Sequence, residues 1–183
     1  MNLENLDKVL RQYGERTTQL AKLELGTYKP RKVRTSTWNG MTPTSTKVSM
    51  RKRRAVASGK LQNSIRFNVK IKEDFAIIEF IMLEYGKYVE EGRKAGKGVP
   101  PKALKKWITE DKKMRYFNRK TRRFESMTPS KLNGLMFTIN RSIKAFGIDA
   151  RPFMKPSERR AMQEYADKIA KAFAEDIEDD LTD

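Results

Sequence analysis

The side chains that carry most enzymatic chemistry are missing from this chain of 183 residues, which has no histidine and no cysteine. Their absence removes thiol nucleophiles, disulfides, Ser-His-Asp catalysis and the usual zinc ligands. Carboxylates remain. Glu175, Asp176, Glu178, Asp179, Asp180 and Asp183 crowd the C-terminus, but positions i, i+1 and i+3 on one helix do not close a coordination shell around Mg²⁺. Glu79 stands in an apolar run, where burial would disfavour its charge, so a Lys or Arg partner is expected for it. The segment Gly92-Arg93-Lys94-Ala95-Gly96-Lys97-Gly98 mixes glycine with basic side chains, as phosphate cradles do. It lacks the Walker spacing and the Gly-Lys-Ser/Thr ending, and is expected to be a mobile basic loop. With no nucleophile–base pair in sight, no catalytic residue, cofactor or metal site is expected, and the chain is not expected to be an enzyme.

Charge is the other chemical signal. Lys and Arg number 40 against 23 Asp and Glu, a formal net charge of +17. Such an excess favours an anionic partner. Residues 25–72 hold 13 basic residues and no acidic one, and Arg51, Lys52, Arg53 and Arg54 form the densest run. Four adjacent like charges repel unless water or an anion neutralises them. The strongly apolar run 75–83 is too short to span a bilayer, and residues 1–7 lack the basic-then-apolar pattern of a signal peptide.

Periodicity supplies the elements that would hold these groups. Leu3, Leu6, Leu10, Tyr13, Thr17 and Leu20 are spaced three and four apart, which predicts a helix stopped at Gly26 and packed on its own domain, with exchange onto a neighbouring subunit as the less favoured reading. Residues 26–50 show neither helical nor strand period and read as a long loop or extended arm, with Trp38 and Tyr28 suited to anchoring it on protein rather than to stacking on bases. Ile65, Phe67, Val69 and Ile71 alternate with polar residues, which predicts a half-buried strand. The nearly continuous apolar run 75–83 predicts a second, more buried strand, paired to the first through Glu73-Asp74. Pro100-Pro101 opens a helix with Leu104, Trp107 and Ile108 inward, and residues 114–127 suggest a projecting basic hairpin. Thr128-Pro129 caps a helix with Leu132, Leu135, Met136, Ile139, Ile143 and Phe146 on its inner face, ending at Gly147. Ser157 is expected to cap a last helix whose acidic end opposes the macrodipole.

Three short motifs follow one another in this frame. The first is Ser58-Gly59-x-Leu61-x-x-Ser64-Ile65, in which Ser58 is suited to capping a helical turn. The second is Tyr88-Val89-Glu90-x-Gly92. The third is Arg151-Pro152-Phe153-x-x-Pro156, a rigid connection with a phenylalanine anchor. In this order and at these separations they resemble the tail-completion, or head–tail joining, proteins of tailed bacteriophages. The likeness covers residues 58–156.

That resemblance implies an α+β fold, and the periodicities build it as an antiparallel sheet of residues 64–72 and 75–83, covered by the helices near 129–146 and 157–181. The expected division is an N-terminal helix (1–26), a basic extended arm (27–57), an α+β core (58–156) with a basic insertion (93–127), and a C-terminal helix (157–183). The resemblance implies a virion neck subunit, assembled in the host cytoplasm into a ring with other copies and with portal, neck or tail proteins. Packaged DNA, through non-specific phosphate contacts, is a further candidate partner; a membrane is not. Arg51, Lys52, Arg53, Arg54, Arg93, Lys94, Lys97, Arg119, Lys120, Arg122 and Arg123 are the candidate interface or DNA-facing residues. The motif residues are assigned to fold and interface geometry. The competing reading is a basic nucleic-acid-binding protein, ribosome-associated or DNA-coating, although no zinc finger, RNP signature or KH clamp is present.

Overall fold

A computed structural model describes residues 3–53, 59–72, 75–111, 113–118 and 120–182. Ser58, Arg54, Arg119 and the expected Glu73-Asp74 turn therefore lie outside the described residues, as does Asp183. In chain order the elements are α1 (Glu4–Gly26), β1 (Lys29–Asn39), β2 (Thr42–Arg53), α2 (Lys60–Ser64), β3 (Arg66–Lys72), β4 (Phe75–Ile81), α3 (Gly86–Glu91) and α4 (Pro101–Lys106). A π-helical turn (Trp107–Asp111) then leads to β5 (Tyr116–Asn118), β6 (Arg123–Glu125), α5 (Pro129–Phe146) and α6 (Met154–Thr182). The fold is α+β, and every sheet is an antiparallel pair.

The chain forms two interleaved units. One comprises Met1–Tyr28, Arg54–Glu90 and Arg151–Asp183; the other comprises Lys29–Arg53 and Glu91–Ala150. In the first, α1 lies along α6. Its stripe buries Leu6, Leu10, Tyr13, Thr17 and Leu20 as its spacing predicts. Tyr13 meets Tyr165 edge-on at 6.3 Å, and Ala161 is buried against Tyr13 and Leu20. The β3–β4 pair lays Val69 on Leu6 and Leu10, with Phe67, Ile71, Ile78 and Ile169 around them. The helical cover of this hairpin in its unit is thus α1 with α6, whereas α5, expected on this sheet, has a core of its own in the second unit.

β4 departs from the expectation of burial. Only Ile78 and Phe80 turn inward, while Phe75, Ile77 and Ile81 are 47%, 42% and 41% exposed. Glu79 also faces out, ion-paired with Lys70 at 2.8 Å. A two-stranded sheet with one helical face leaves the other face of both strands in water.

In the second unit, residues 29–53 are a paired β-ribbon where the sequence suggested an irregular arm. Asn39 pairs with Thr42 across a two-residue turn, Gly40-Met41, in which Gly40 takes φ +56°. Glycine at the first central position of such a turn matches the twist of the flanking strands. The ribbon is anchored through β1: Trp38 meets Phe146 edge-on at 5.8 Å, Arg141 stacks over Trp38 at 4.2 Å, and Arg34 forms a two-pronged ion pair with Asp149, both bonds 2.9 Å. The Arg34 guanidinium holds the Asp149 carboxyl below its ordinary range.

Leu104, Ile108 and Leu132 form this unit's buried cluster, with Val99, Met127, Leu135, Met136 and Ile139 packed around it. Trp107, expected inward, lies partly exposed on the π-turn. The hairpin at 114–127 forms as expected, Phe117 against Phe124 at 5.1 Å. Thr128 caps α5 by accepting from the Lys131 N–H, and Gly147 ends it.

The basic loop after Gly92, expected to be mobile, is tethered at Arg93, Gly96 and Val99. Arg93 exchanges backbone hydrogen bonds with Ile148, Gly96 N–H donates to the Lys144 carbonyl, and Val99 N–H donates to Asn140 Oδ1.

Candidate functional site

The three motifs converge on one buried junction in the first unit. Leu61 and Ile65 from the first motif, Phe153 and Met154 from the third, and Ala21 and Leu25 of α1 form a single apolar cluster, and Val89 from the second motif packs against it. Phe153 is 1% exposed. The first motif also closes a local hydrogen-bond relay: Ser64 Oγ donates to the Leu61 carbonyl at 2.8 Å and accepts from Leu83 N–H at 3.1 Å. Gly59, at φ +75°, is the residue that precedes α2.

Glu90 joins the second motif to the third. Its carboxylate is buried, and it accepts the backbone N–H groups of Phe153 at 2.6 Å, Met154 at 2.9 Å and Lys155 at 3.1 Å. These are the free amides at the start of α6, which begins at Met154. The first four N–H groups of a helix have no intrahelical acceptor, and the fourth here belongs to Pro156, which has none to satisfy. The carboxylate also places negative charge where the helix dipole favours it. Ser157, expected to be the cap, lies inside the first turn and donates instead to the Phe153 carbonyl at 2.6 Å. Arg151 completes the link: its backbone N–H donates to the Val89 carbonyl and its guanidinium to the Thr27 carbonyl. Tyr88, by contrast, is exposed. Gly92 takes φ +75°, and a Cβ there would stand 2.5 Å from the Ile148 carbonyl oxygen.

A second buried carboxylate repeats the device. Asp176, near the end of α6, accepts from the N–H groups of Asn5 at 3.0 Å and Leu6 at 2.8 Å, capping α1. Leu3, at the N-cap position of α1, makes no side-chain cap bond. Part of the acidic C-terminal end is therefore used within the chain. No sequence signal singled Asp176 out among its acidic neighbours, because only burial distinguishes it.

Glu158 sits close to Glu90. Burial, then the negative charge of Glu90, hold its carboxyl above the ordinary range, against an opposing pull from Lys155.

The described candidate basic residues are spread over β2, the β5–β6 hairpin and the loop after Gly92. Arg51 and Lys52 are exposed on β2, Arg53 ends that strand, and Lys120, Arg122 and Arg123 lie at the β5–β6 turn and the strand after it. Lys94 and Lys97 are exposed on the tethered loop, while Arg93 turns back and donates to the Gly98 carbonyl. Arg34 and Arg141, which fix the ribbon, were not singled out by their sequence context.

The charge itself is divided sharply. The second unit holds 24 Lys and Arg against 5 Asp and Glu, a net of +19, and the first holds 16 against 18, a net of −2.

Among the described residues, no group of three or more carboxylates is placed to hold a metal ion, and no helix is long and apolar enough to cross a membrane. No protein-family model matches the chain, and comparison with curated proteins and with solved structures gives no match.

Proposed function

We propose that this chain is a non-enzymatic structural subunit of the neck of a tailed bacteriophage, joining the head or portal side to the tail as one copy in a ring. The observation that carries the reading is the junction of the three motifs. Residues scattered over 58–156 supply one core cluster, one shared cap and one backbone link. The same residues carry the resemblance to tail-completion proteins, so its motifs have a common physical purpose: setting where α6 starts and how the segment before it runs.

The exposed apolar outer face of β4 fits a subunit that is incomplete alone. Among the described residues no further strand pairs with β4, and an uncovered apolar edge strand is a liability in an isolated protein. A neighbouring copy in a ring would cover it. Other neck, portal or tail proteins are the remaining partners of the reading.

Deletion of the coding sequence from the phage genome tests it. The expected result is DNA-filled heads beside separate or unstable tails, restored to infectious particles when the protein is supplied. Normal infectious particles without the protein would overturn the proposal.

A further inference from the structure

The β1–β2 ribbon carries its strongest charges where they should repel. Its register sets Arg31 directly opposite Arg51, Val33 opposite Ser49, and Thr35 opposite Lys47. Side chains alternate across a strand, and directly opposed residues share a face with Cβ atoms about 4.5–5.5 Å apart. Arg31, Thr35, Lys47, Ser49 and Arg51 are all exposed, residues 29–53 contain no carboxylate, and the one carboxylate on which Arg31 acts at a distance, Asp149, has both oxygens taken by Arg34. On β1 the opposite face is the one held down, by Arg34 on Asp149 and Trp38 on Phe146. The ribbon is thus fixed through β1 on one face, where Val48 and Met50 of β2 stay exposed, and its other face carries a like-charge pair that destabilises a sheet unless an anion lies between its members.

We propose that this outward face, led by Arg31, Lys47 and Arg51, binds the sugar–phosphate backbone of duplex DNA without reading its sequence. Three features select that occupant. Lys47 lies about 13 Å along the ribbon from the Arg31–Arg51 pair, beyond a Debye length at physiological salt. One small anion does not serve both points; successive phosphates of a polyanion do. The face offers arginine, lysine and hydroxyls, the residue types that contact phosphate, and its only apolar residue is Val33. A protein partner would need a buried aromatic or aliphatic anchor that this face does not supply. A two-stranded ribbon also has the width that the major groove of B-form DNA admits. The inference does not rest on the neck reading, since binding by the purified protein and the deletion phenotype fail independently.

The test is anisotropy titration of the full-length protein against a labelled mixed-sequence duplex of about three helical turns, repeated across salt. With about four phosphates contacted, affinity should fall about a hundredfold between about 50 and 200 mM salt. The double variant Arg31→Gln/Arg51→Gln should give a log–log salt slope shallower by about 2. Its melting temperature at low salt should match or exceed that of the parent, because the opposed charges are gone. Lys8→Gln/Arg159→Gln removes two exposed charges from the first unit and should leave the slope unchanged. No salt-dependent DNA binding, an equal loss from the control pair, or displacement of DNA by polyglutamate at matched charge concentration would each overturn the proposal.

Discussion

Glu90 should be felt on a helix it does not belong to. It satisfies three amides at the start of α6 from its place on α3. Glu90→Ala leaves those donors buried and unpaired, at roughly 1–3 kcal/mol for each that water does not reach. A loss of roughly 2 kcal/mol or more in chemical denaturation is expected; an unchanged midpoint would mean that water replaces the carboxylate freely. Phe153→Ala removes the anchor beside it and should cost about 3–5 kcal/mol through lost burial and a cavity. Glu158 gives a prediction of opposite sign. Its raised value in the fold means that the folded state holds the proton more tightly than the unfolded chain. Its stabilising contribution is therefore present at low pH and lost as pH rises through that value. Glu158→Gln should raise the melting temperature at pH 7 and give no gain below about pH 4, where the unfolded glutamate is itself protonated. At this scale the sequence singled out Phe153 as an anchor and Glu90 without its role, and passed over Asp176, Arg34 and Arg141. Tyr-Val-Glu and Arg-Pro-Phe stand some sixty residues apart, and nothing local announces that the carboxylate of one caps the helix after the other. Ser157 was the better local cap by residue type, and the long-range carboxylate superseded it.

Elements with a core of their own were the legible ones. α1 and the β3 alternation bury the faces that their periods predict, and α5 turns its predicted face inward, with Leu132 buried and the rest half-buried. The β1–β2 ribbon was hidden because neither face is continuously apolar, so hydrophobic alternation never develops along it. Its one local signal was Gly40, which suits the first central position of a two-residue hairpin turn. The existence of β4 was legible but its burial was not, since a run of Phe, Ala and Ile looks the same whether one face is covered or two. That difference is testable. Ile77 stands opposite Lys70 on the outer face of the hairpin. Ile77→Glu therefore places a carboxylate beside a cation, and monomer stability should stay within about 0.5 kcal/mol of the parent. The same change puts charge into the exposed apolar strip that a neighbouring copy is proposed to cover. Sedimentation should show self-association abolished while the melting temperature holds. Assembly indistinguishable from the parent would remove β4 from the interface.

The net charge of the whole molecule was readable from the sequence, but its partition was not. The two segments that carry more than the whole excess, 29–53 and 91–150, are separated by residues 54–90 and belong together only through the fold. A unit that carries +19 by itself changes what salt should do to stability. The ion pairs Arg16–Glu164 and Lys70–Glu79 are exposed, and such pairs are worth about 0–1 kcal/mol each, lost on screening. Self-repulsion within the second unit acts in the other direction and is relieved by the same screening. Because 24 cations face only 5 carboxylates there, repulsion should win. The melting temperature should rise as sodium chloride is raised from about 0.05 to 0.5 M, where the Debye length falls to a few ångströms. Arg31→Gln/Arg51→Gln should flatten that rise by removing one directly opposed pair, whereas Lys8→Gln/Arg159→Gln should not. A melting temperature that falls with salt would show the exposed ion pairs outweighing the repulsion, and the basic unit would then be electrostatically relaxed without any anionic partner.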